Sequence, residues 1–238
     1  MAKTAPASLG LTDALPRHVG IIMDGNGRWA KARSLPRPMG HRAGMERLRG
    51  LIQLSSDIGI GALSLYAFST ENWKRPQSEI EALFGLFIEY FNRELDALHE
   101  GGVCIRVLGD MEAFPANIGR AISAAQSKTA NNEGLKLNIA LNYGSRAEVL
   151  RAANALIARG QPAAMEDLMA ALYTGGLPDL DLVIRTGGEQ RLSNFLLLQA
   201  AYAELMFVPE YFPDFSDARF VECLRAFGAR NRRFGDVE

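Results

Sequence analysis

The sequence predicts a single α/β domain: a six-stranded, mostly parallel sheet flanked by about seven helices. Three observations predict it. Short apolar runs of strand length alternate with longer segments whose apolar residues recur at helical spacing, the pattern of strands joined by helical crossovers. Several of those short runs are apolar almost throughout rather than alternating, as strands buried on both faces are. Finally, 238 residues at 48% hydrophobic content supply one sizeable core, and no internal repeat or low-complexity linker marks a boundary. The expected organisation is a flexible tail over 1–16 and a single domain over 17–238.

The first strand signal is 19–23, apolar except for Gly20, and it stops at Asp24-Gly25-Asn26-Gly27-Arg28. Met45, Leu48, Leu51, Ile52 and Leu54 give 40–58 helical spacing, closed by Gly59. Residues 62–68 form the second strand, running into Ser69-Thr70-Glu71-Asn72-Trp73-Lys74-Arg75-Pro76. Ser78 and Glu81 make a capping-box signal for a long helix over 78–99, terminated by Gly101-Gly102. Its apolar residues cover more than one stripe, so it either packs two sides in the core or a dimer, or lines an apolar cavity. Strand 103–108, helix 115–128, strand 135–141, a helix from about 145 to 159 and a short helix 165–173 follow. Strand 180–184 ends in Arg185-Thr186-Gly187-Gly188-Glu189. A helix over 193–201, a strand over 205–208 and a last helix over 216–230 complete the pattern.

Charge narrows the ligand. The net charge is −1 and the pI about 6.3, and no basic-aromatic interleaving appears, which argues against a nucleic-acid partner. Positive charge is instead local: seven arginines, Lys31 and His41 between Arg17 and Arg49 face only Asp24 and Glu46. Guanidinium groups pair bidentately with phosphate oxygens, so the stretch suits a small polyanion, or else a solvated basic helix face. Cys104 and Cys223, without a CxxC or clustered histidines, read as buried reduced thiols of a cytosolic protein. The first sixteen residues lack the apolar core of a signal peptide. The most apolar segment, 195–208, is broken by Gln199 and Glu204 and is shorter than the roughly 20 residues a bilayer span needs. A membrane-associated substrate is still compatible with that.

The candidate chemistry collects just past strand ends, at Asp24, Ser69, Asn72, Asn142 and Arg185, where open α/β sheets bind ligands. Asp24 in a glycine-rich turn suits a divalent cation shared with substrate phosphates, although a plain strand-to-helix turn with an Asp cap uses the same residues. The second anion candidate is Arg185 to Ser193, two arginines around a glycine pair with a hydroxyl beyond. GxGxxG after a strand and GxxxxGK[ST] are both absent. An aspartyl-phosphatase would want a carboxylate where Asn26 stands, and an EF-hand loop fails at Arg28 and Leu35. A cation, several arginines, no covalent nucleophile and no redox cofactor fit displacement of a diphosphate leaving group.

The blocks MDGNGRWA from Met23, GHRAG from Gly40, YAFSTENWKRP from Tyr66, LNYGSR from Leu141, RTGGEQRLSNFLLLQ from Arg185 and AYAELMF from Ala201 resemble, in order, those of the cis-prenyltransferases. The resemblance is to the bacterial undecaprenyl diphosphate synthase type and spans nearly the whole chain from His18. It implies a homodimer and Mg2+-dependent condensation of isopentenyl diphosphate onto an allylic diphosphate such as farnesyl diphosphate. The product would be a long-chain cis-polyprenyl diphosphate, the undecaprenyl lipid-carrier precursor for cell-wall synthesis, made in the cytoplasm with peripheral membrane association through the lipid. By the same resemblance Asp24 and Glu204 share the Mg2+. Gly25, Asn26, Gly27 and Arg28 cradle the allylic diphosphate, with Arg37 and His41 adding positive charge. Trp29 and Trp73 are apolar walls or core residues. Ser69 and Asn72 assist proton removal, Ser69, Thr70 and Glu71 also bind substrate, with Glu71 capping or orienting their loop, and Arg75 binds diphosphate or orders that loop. Arg185, Arg191 and Ser193 bind isopentenyl diphosphate, and Arg233-Phe234-Gly235 reaches across the dimer. The growing chain is expected near Leu83, Leu86, Phe87, Val103, Leu135 and Leu137. A short- or medium-chain synthase, a non-catalytic partner subunit and a phosphatase are the rival readings.

Overall fold

An apolar strand with no alternation has to be covered on both faces, and β1 (His18–Ile22) is buried at every position. The computed structural model describes residues 6–11, 14–160 and 162–230. With β2 (Ala62–Ser69), β3 (Cys104–Leu108), β4 (Lys136–Tyr143), β5 (Leu182–Arg185) and β6 (Glu204–Phe207), β1 forms one sheet of order β3-β4-β2-β1-β5-β6. Every neighbouring pair runs parallel. All strand C-termini therefore point one way, so the strand-end residues Ser69, Asn142 and Arg185 and the turn carrying Asp24 converge at that edge.

Seven helices are described: α1 (Asn26–Ala32), α2 (Arg37–Asp57), α3 (Gln77–Glu100), α4 (Ala116–Thr129), α5 (Ser145–Ile157), α6 (Met165–Ala171) and α7 (Asp217–Gly228). The number matches the expectation, but one member differs. The expected helix over 193–201 is a run of turns, with Ser193, Asn194 and Leu196 at φ of 49°, 63° and 43°. Apolar spacing there reflects burial of Phe195, Leu196 and Ala200 against the sheet rather than a helix face. The short α1, which the periodicity does not separate, takes its place in the count. Helix α2 starts at Arg37 rather than near Gly40, because Pro36 and Pro38 preset its first turn. Helix α3 starts at Gln77 after Pro76, without the Ser78–Glu81 capping box.

Within the stretch expected as a tail, Pro6–Leu9 forms a 3-10 turn and Leu11 is buried in the main core. Both cysteines are buried, and burial pushes the Cys223 thiol up to about 11. At the start of β1, His18 is fully buried between Pro178 O and Ser64 Oγ, 2.8 and 2.7 Å from its two ring nitrogens. A carbonyl only accepts, so Nδ1 carries the proton. Burial holds the imidazole below its ordinary value, in keeping with that neutral form.

Two irregularities shape the site. Ala67 on β2 and Asn142 on β4 each fall out of the β2–β4 register, a pair of bulges that re-aims the strand ends beside the cavity. Helices α1 and α2 also touch backbone to backbone: a Cβ on Gly40 would stand 2.0 Å from the carbonyl oxygen of Asn26. Gly40→Ala is therefore expected to cost about 1–3 kcal/mol, read as a lowered denaturant midpoint with an unchanged slope, and to displace the Asp24 loop.

Candidate active site

A cavity of about 680 Å3 opens at the C-terminal edge of the sheet. Its mouth is polar, lined by Asp24, Asn26, His41, Arg75, Arg185 and Ser193, and Ser69, Glu71 and Asn72 also line it. Its interior is apolar, with Leu83, Leu86, Phe87, Tyr90 and Phe91 of α3 facing Met45, Leu48 and Ile52 of α2 over Leu65 and Ile139 of the sheet. The two-sided apolar character of α3 thus has two causes: one side lines the cavity, and Phe84 packs with Phe68, Trp73 and Phe114. Three of the expected tunnel residues, Leu83, Leu86 and Phe87, are at the wall. Val103, Leu135 and Leu137 are not; they are buried in the core. Leu137 pairs with Leu63, one pleat below the Leu65–Ile139 pair that lines the cavity, so the open space ends above it.

Asp24 lies just past β1, where Gly25 takes φ of 101° and a Cβ would meet Tyr211 Cδ1 at 2.6 Å. Only glycine makes that turn without strain. Thr186 clamps the turn, accepting from Asp24 N–H at 3.0 Å and donating to Asp24 O at 2.7 Å. The carboxylate holds two cations at once: Arg185 Nη2 at 2.8 Å and Arg28 Nη2 at 3.0 Å. Burial pushes its pKa up, but those hydrogen bonds and charges outweigh burial, so Asp24 is ionised more readily than an ordinary aspartate.

Arg185 ends β5 only 4% exposed, and it also donates to Ser193 Oγ at 2.8 Å and to the Arg191 carbonyl. The Arg191 guanidinium itself turns to Glu189, at 2.5 Å, and does not line the cavity. On the other side Glu79 gathers Arg37 and Arg75, each at 3.0 Å. His41 Nε2 stands 3.5 Å from the same carboxylate without a well-aligned hydrogen bond. Burial first, and then Arg75 and Arg37, depress His41 despite Glu79. His41 thus lines the same mouth as Arg75 and Asp24, with its imidazole held below its ordinary value.

Asn72 Oδ1 accepts from Ser69 N–H at 3.0 Å, tying the two residues across the 3-10 turn Thr70–Lys74. Burial raises the Glu71 carboxyl, and hydrogen bonds from its own backbone, Ser69, Asn194 and Thr70 more than reverse that. Neither tryptophan lines the cavity. Trp73 Nε1 donates to Asn142 Oδ1 at 2.8 Å inside the aromatic cluster, and Trp29 Nε1 donates to Asp214 at 2.8 Å under the Arg33 guanidinium. Trp73 packs against the main core, whereas Trp29 is half-buried outside both core clusters.

Glu204 is also relocated. It opens β6 level with Leu182 and Val19, at the opposite end of the sheet from Asp24. At about 3.3 Å per residue the two are roughly 16 Å apart along the strands, so one chain cannot share an ion between them. Glu204 instead pairs with Arg230. Arg233-Phe234-Gly235 lies outside the described residues. No group of three or more His, Cys, Asp or Glu able to hold a metal exists among the described residues. The oxygen donors at the mouth still suit a hard cation. Asp24 is a carboxylate, Asn26 Oδ1, which packs against Gly44, is buried without a hydrogen-bond partner among the described residues, and Mg2+ typically takes one or two carboxylates plus substrate phosphates.

Residues 22–235 match the family model described as "Putative undecaprenyl diphosphate synthase". The chain belongs to this prenyltransferase family. It is 48% identical to an isoprenyl transferase of Agrobacterium fabrum, over 93% of each chain. An isoprenyl transferase of Heliobacterium mobile is 49% identical, over 94% of this chain and 89% of that one. Among solved structures, lavandulyl diphosphate synthase from Lavandula x intermedia, in complex with dimethylallyl diphosphate, superposes with a TM-score of 0.91 at 31% identity, covering 94% of this chain and all of that one. A probable undecaprenyl diphosphate synthase from Campylobacter jejuni gives 0.80 at 34%, with the same coverage. The protein is a cis-prenyltransferase enzyme.

Glu79, Thr186, Asn194 and Arg146 were not singled out from the sequence as site residues. The spacing of Arg75 and Glu79, four apart at a helix start, is a signal that identifies one of them. The others depend on contacts across more than forty residues, which local pattern does not carry.

Proposed function

We propose that this cis-prenyltransferase condenses isopentenyl diphosphate onto an allylic diphosphate, farnesyl diphosphate being the expected primer, and repeats the step to a long-chain product of the undecaprenyl class. The supporting observation is the joining of a cationic mouth to an apolar cavity in one space. Gly25 to Arg28 and Arg37 hold the allylic diphosphate, and Arg185 and Ser193 hold that of isopentenyl diphosphate. Asp24 holds Mg2+, which when bound neutralises charge on the departing diphosphate. The allylic C–O bond breaks toward the diphosphate, the isopentenyl double bond forms the new C–C bond, and a proton leaves near Ser69 and Asn72. Preorganised guanidinium groups suit the charge that accumulates on the leaving group. The chain slides between α2, α3 and the sheet, where each buried CH2 contributes about 0.8 kcal/mol.

A homodimer is part of this reading. Among the described residues, edge strand β6 has one unpaired side, and Leu205 on it and Tyr202 just before it are exposed, an edge that a second copy of the chain would cover. No described helix is long and apolar enough to cross a membrane. Peripheral membrane contact, a cytoplasmic setting and a role in supplying the cell-wall lipid carrier are proposed through the product alone. Incubation with Mg2+, farnesyl diphosphate and labelled isopentenyl diphosphate is expected to give a ladder of products ending near about eleven isoprene units. Termination after one or a few additions places the protein among short-chain synthases, and no incorporation by folded protein with any allylic primer rejects the reading.

A further inference from the structure

Among the described residues, three arginines line the cavity: Arg75, Arg146 and Arg185. Arg75 is paired with Glu79 and Arg185 with Asp24. Arg146 has no carboxylate partner among the described residues, although it lines the same cavity as Glu71, Ser193 and Asn194. The motif that carries it, Leu141 to Arg146, is otherwise unused by the mechanism.

Its backbone is fixed more firmly than its exposure suggests. Arg146 is the second residue of α5, whose N-cap, Gly144, has no side chain to satisfy the first N–H groups. Asn194 supplies the cap from the substrate loop: its carbonyl accepts from Ser145 N–H at 2.8 Å and its Oδ1 from Arg146 N–H at 3.0 Å. Ser145 Oγ accepts in return from Leu197 N–H at 3.1 Å. The Asn194 amide also approaches Glu71 at 3.4 Å. These bonds hold the left-handed residues Ser193, Asn194 and Leu196 in place, and they lock the Arg146 Cα to the loop that presents Ser193. Because Asn194 occupies two of the free N–H groups at the helix start, the anion-binding group offered here is the guanidinium.

We propose that Arg146 is a further substrate-binding residue, which engages the diphosphate of isopentenyl diphosphate beside Arg185 and Ser193. This rests on the reading given under Proposed function. Arg185 and Arg75 must share or surrender a carboxylate to bind an anion; Arg146 need not, so it is the guanidinium most available to an arriving diphosphate. A neutral side chain at 146 keeps every backbone bond of the α5 cap, so the variants are expected to fold.

The test is titration calorimetry of the full chain with inorganic diphosphate, paired with steady-state kinetics, on wild type, Arg146→Gln, Arg146→Lys and Arg185→Gln. Arg146→Gln is expected to weaken diphosphate binding and raise KM for isopentenyl diphosphate by about tenfold or more, as loss of a charge-assisted pair does. The allylic KM should stay constant, with kcat changed by less than about threefold, and Arg146→Lys should recover part of the loss. Wild-type diphosphate binding that Arg185→Gln weakens and Arg146→Gln leaves unchanged overturns this proposal alone, as does a shift confined to the allylic KM. A wild-type protein that binds no diphosphate and incorporates no isopentenyl units overturns the underlying reading and this proposal with it.

Discussion

Asp24→Ala is expected to lower kcat by at least about a hundredfold, the scale on which loss of one preorganised electrostatic group acts, and to remove the dependence of the residual rate on Mg2+. The carboxylate is the anionic centre of the mouth, held by Arg185 and Arg28 from two directions. Its removal takes away a negative charge where a diphosphate is expected, so metal-free diphosphate binding should be retained or strengthened while turnover is lost. That opposite sign separates a metal-holding role from simple collapse of the pocket. The alanine variant also leaves Arg185, 4% exposed, with Ser193 Oγ and the Arg191 carbonyl as its acceptors among the described residues, a cost of about 1–3 kcal/mol. Asp24→Asn keeps an acceptor in place and should lose activity with a smaller fall in denaturation midpoint. Since the folded carboxyl titrates below its ordinary 3.8, the contribution of the pair to stability is present above that pH and is lost as acid passes through the lowered value.

The second large effect is expected at Arg185. Arg185→Lys keeps the charge but not the fork that reaches Asp24 and Ser193 together, and a single ammonium point cannot span both. A fall in kcat/KM of about a hundredfold or more is expected, with KM for isopentenyl diphosphate rising. Arg191→Ala should cost far less, because the Arg191 side chain faces Glu189 and the bond to Arg185 uses its backbone carbonyl, which alanine keeps. Equal losses at the two positions would contradict this division. Steady-state kinetics on the three proteins, with thermal midpoints, reads it directly.

These residues also illustrate what a sequence discloses. Asp24, Ser69 and Arg185 were legible because each follows an apolar run into a polar turn, and a parallel sheet brings all such turns to one edge. Strand register was only partly legible. Glu204 reads as one more acidic residue beside an apolar strand, and only its alignment with Leu182 and Val19 shows that it opens β6 at the far end. The tunnel positions divide the same way. Leu137 has the right face of β4, yet depth along the strand decides whether a residue lines the cavity or lies beneath it. The 193–201 segment misled because burial gives apolar spacing whether or not the backbone is helical; its conformation is imposed by Ser145, Arg146 and Arg185 from elsewhere in the chain. His41 beside many arginines suggests added charge, whereas burial, Arg75 and Arg37 lower its pKa, which a sequence pattern does not show.

The most direct test of the central claim, that one cavity takes the diphosphate at its mouth and the hydrocarbon behind, is a crystal structure with Mg2+ and a non-cleavable allylic thiodiphosphate. The diphosphate is predicted against Gly25 to Arg28 and Arg37, with the metal on Asp24 and the hydrocarbon between α2 and α3 along Leu48, Leu83 and Phe87. A diphosphate bound away from Asp24, or a hydrocarbon lying outside that cavity, would contradict the account.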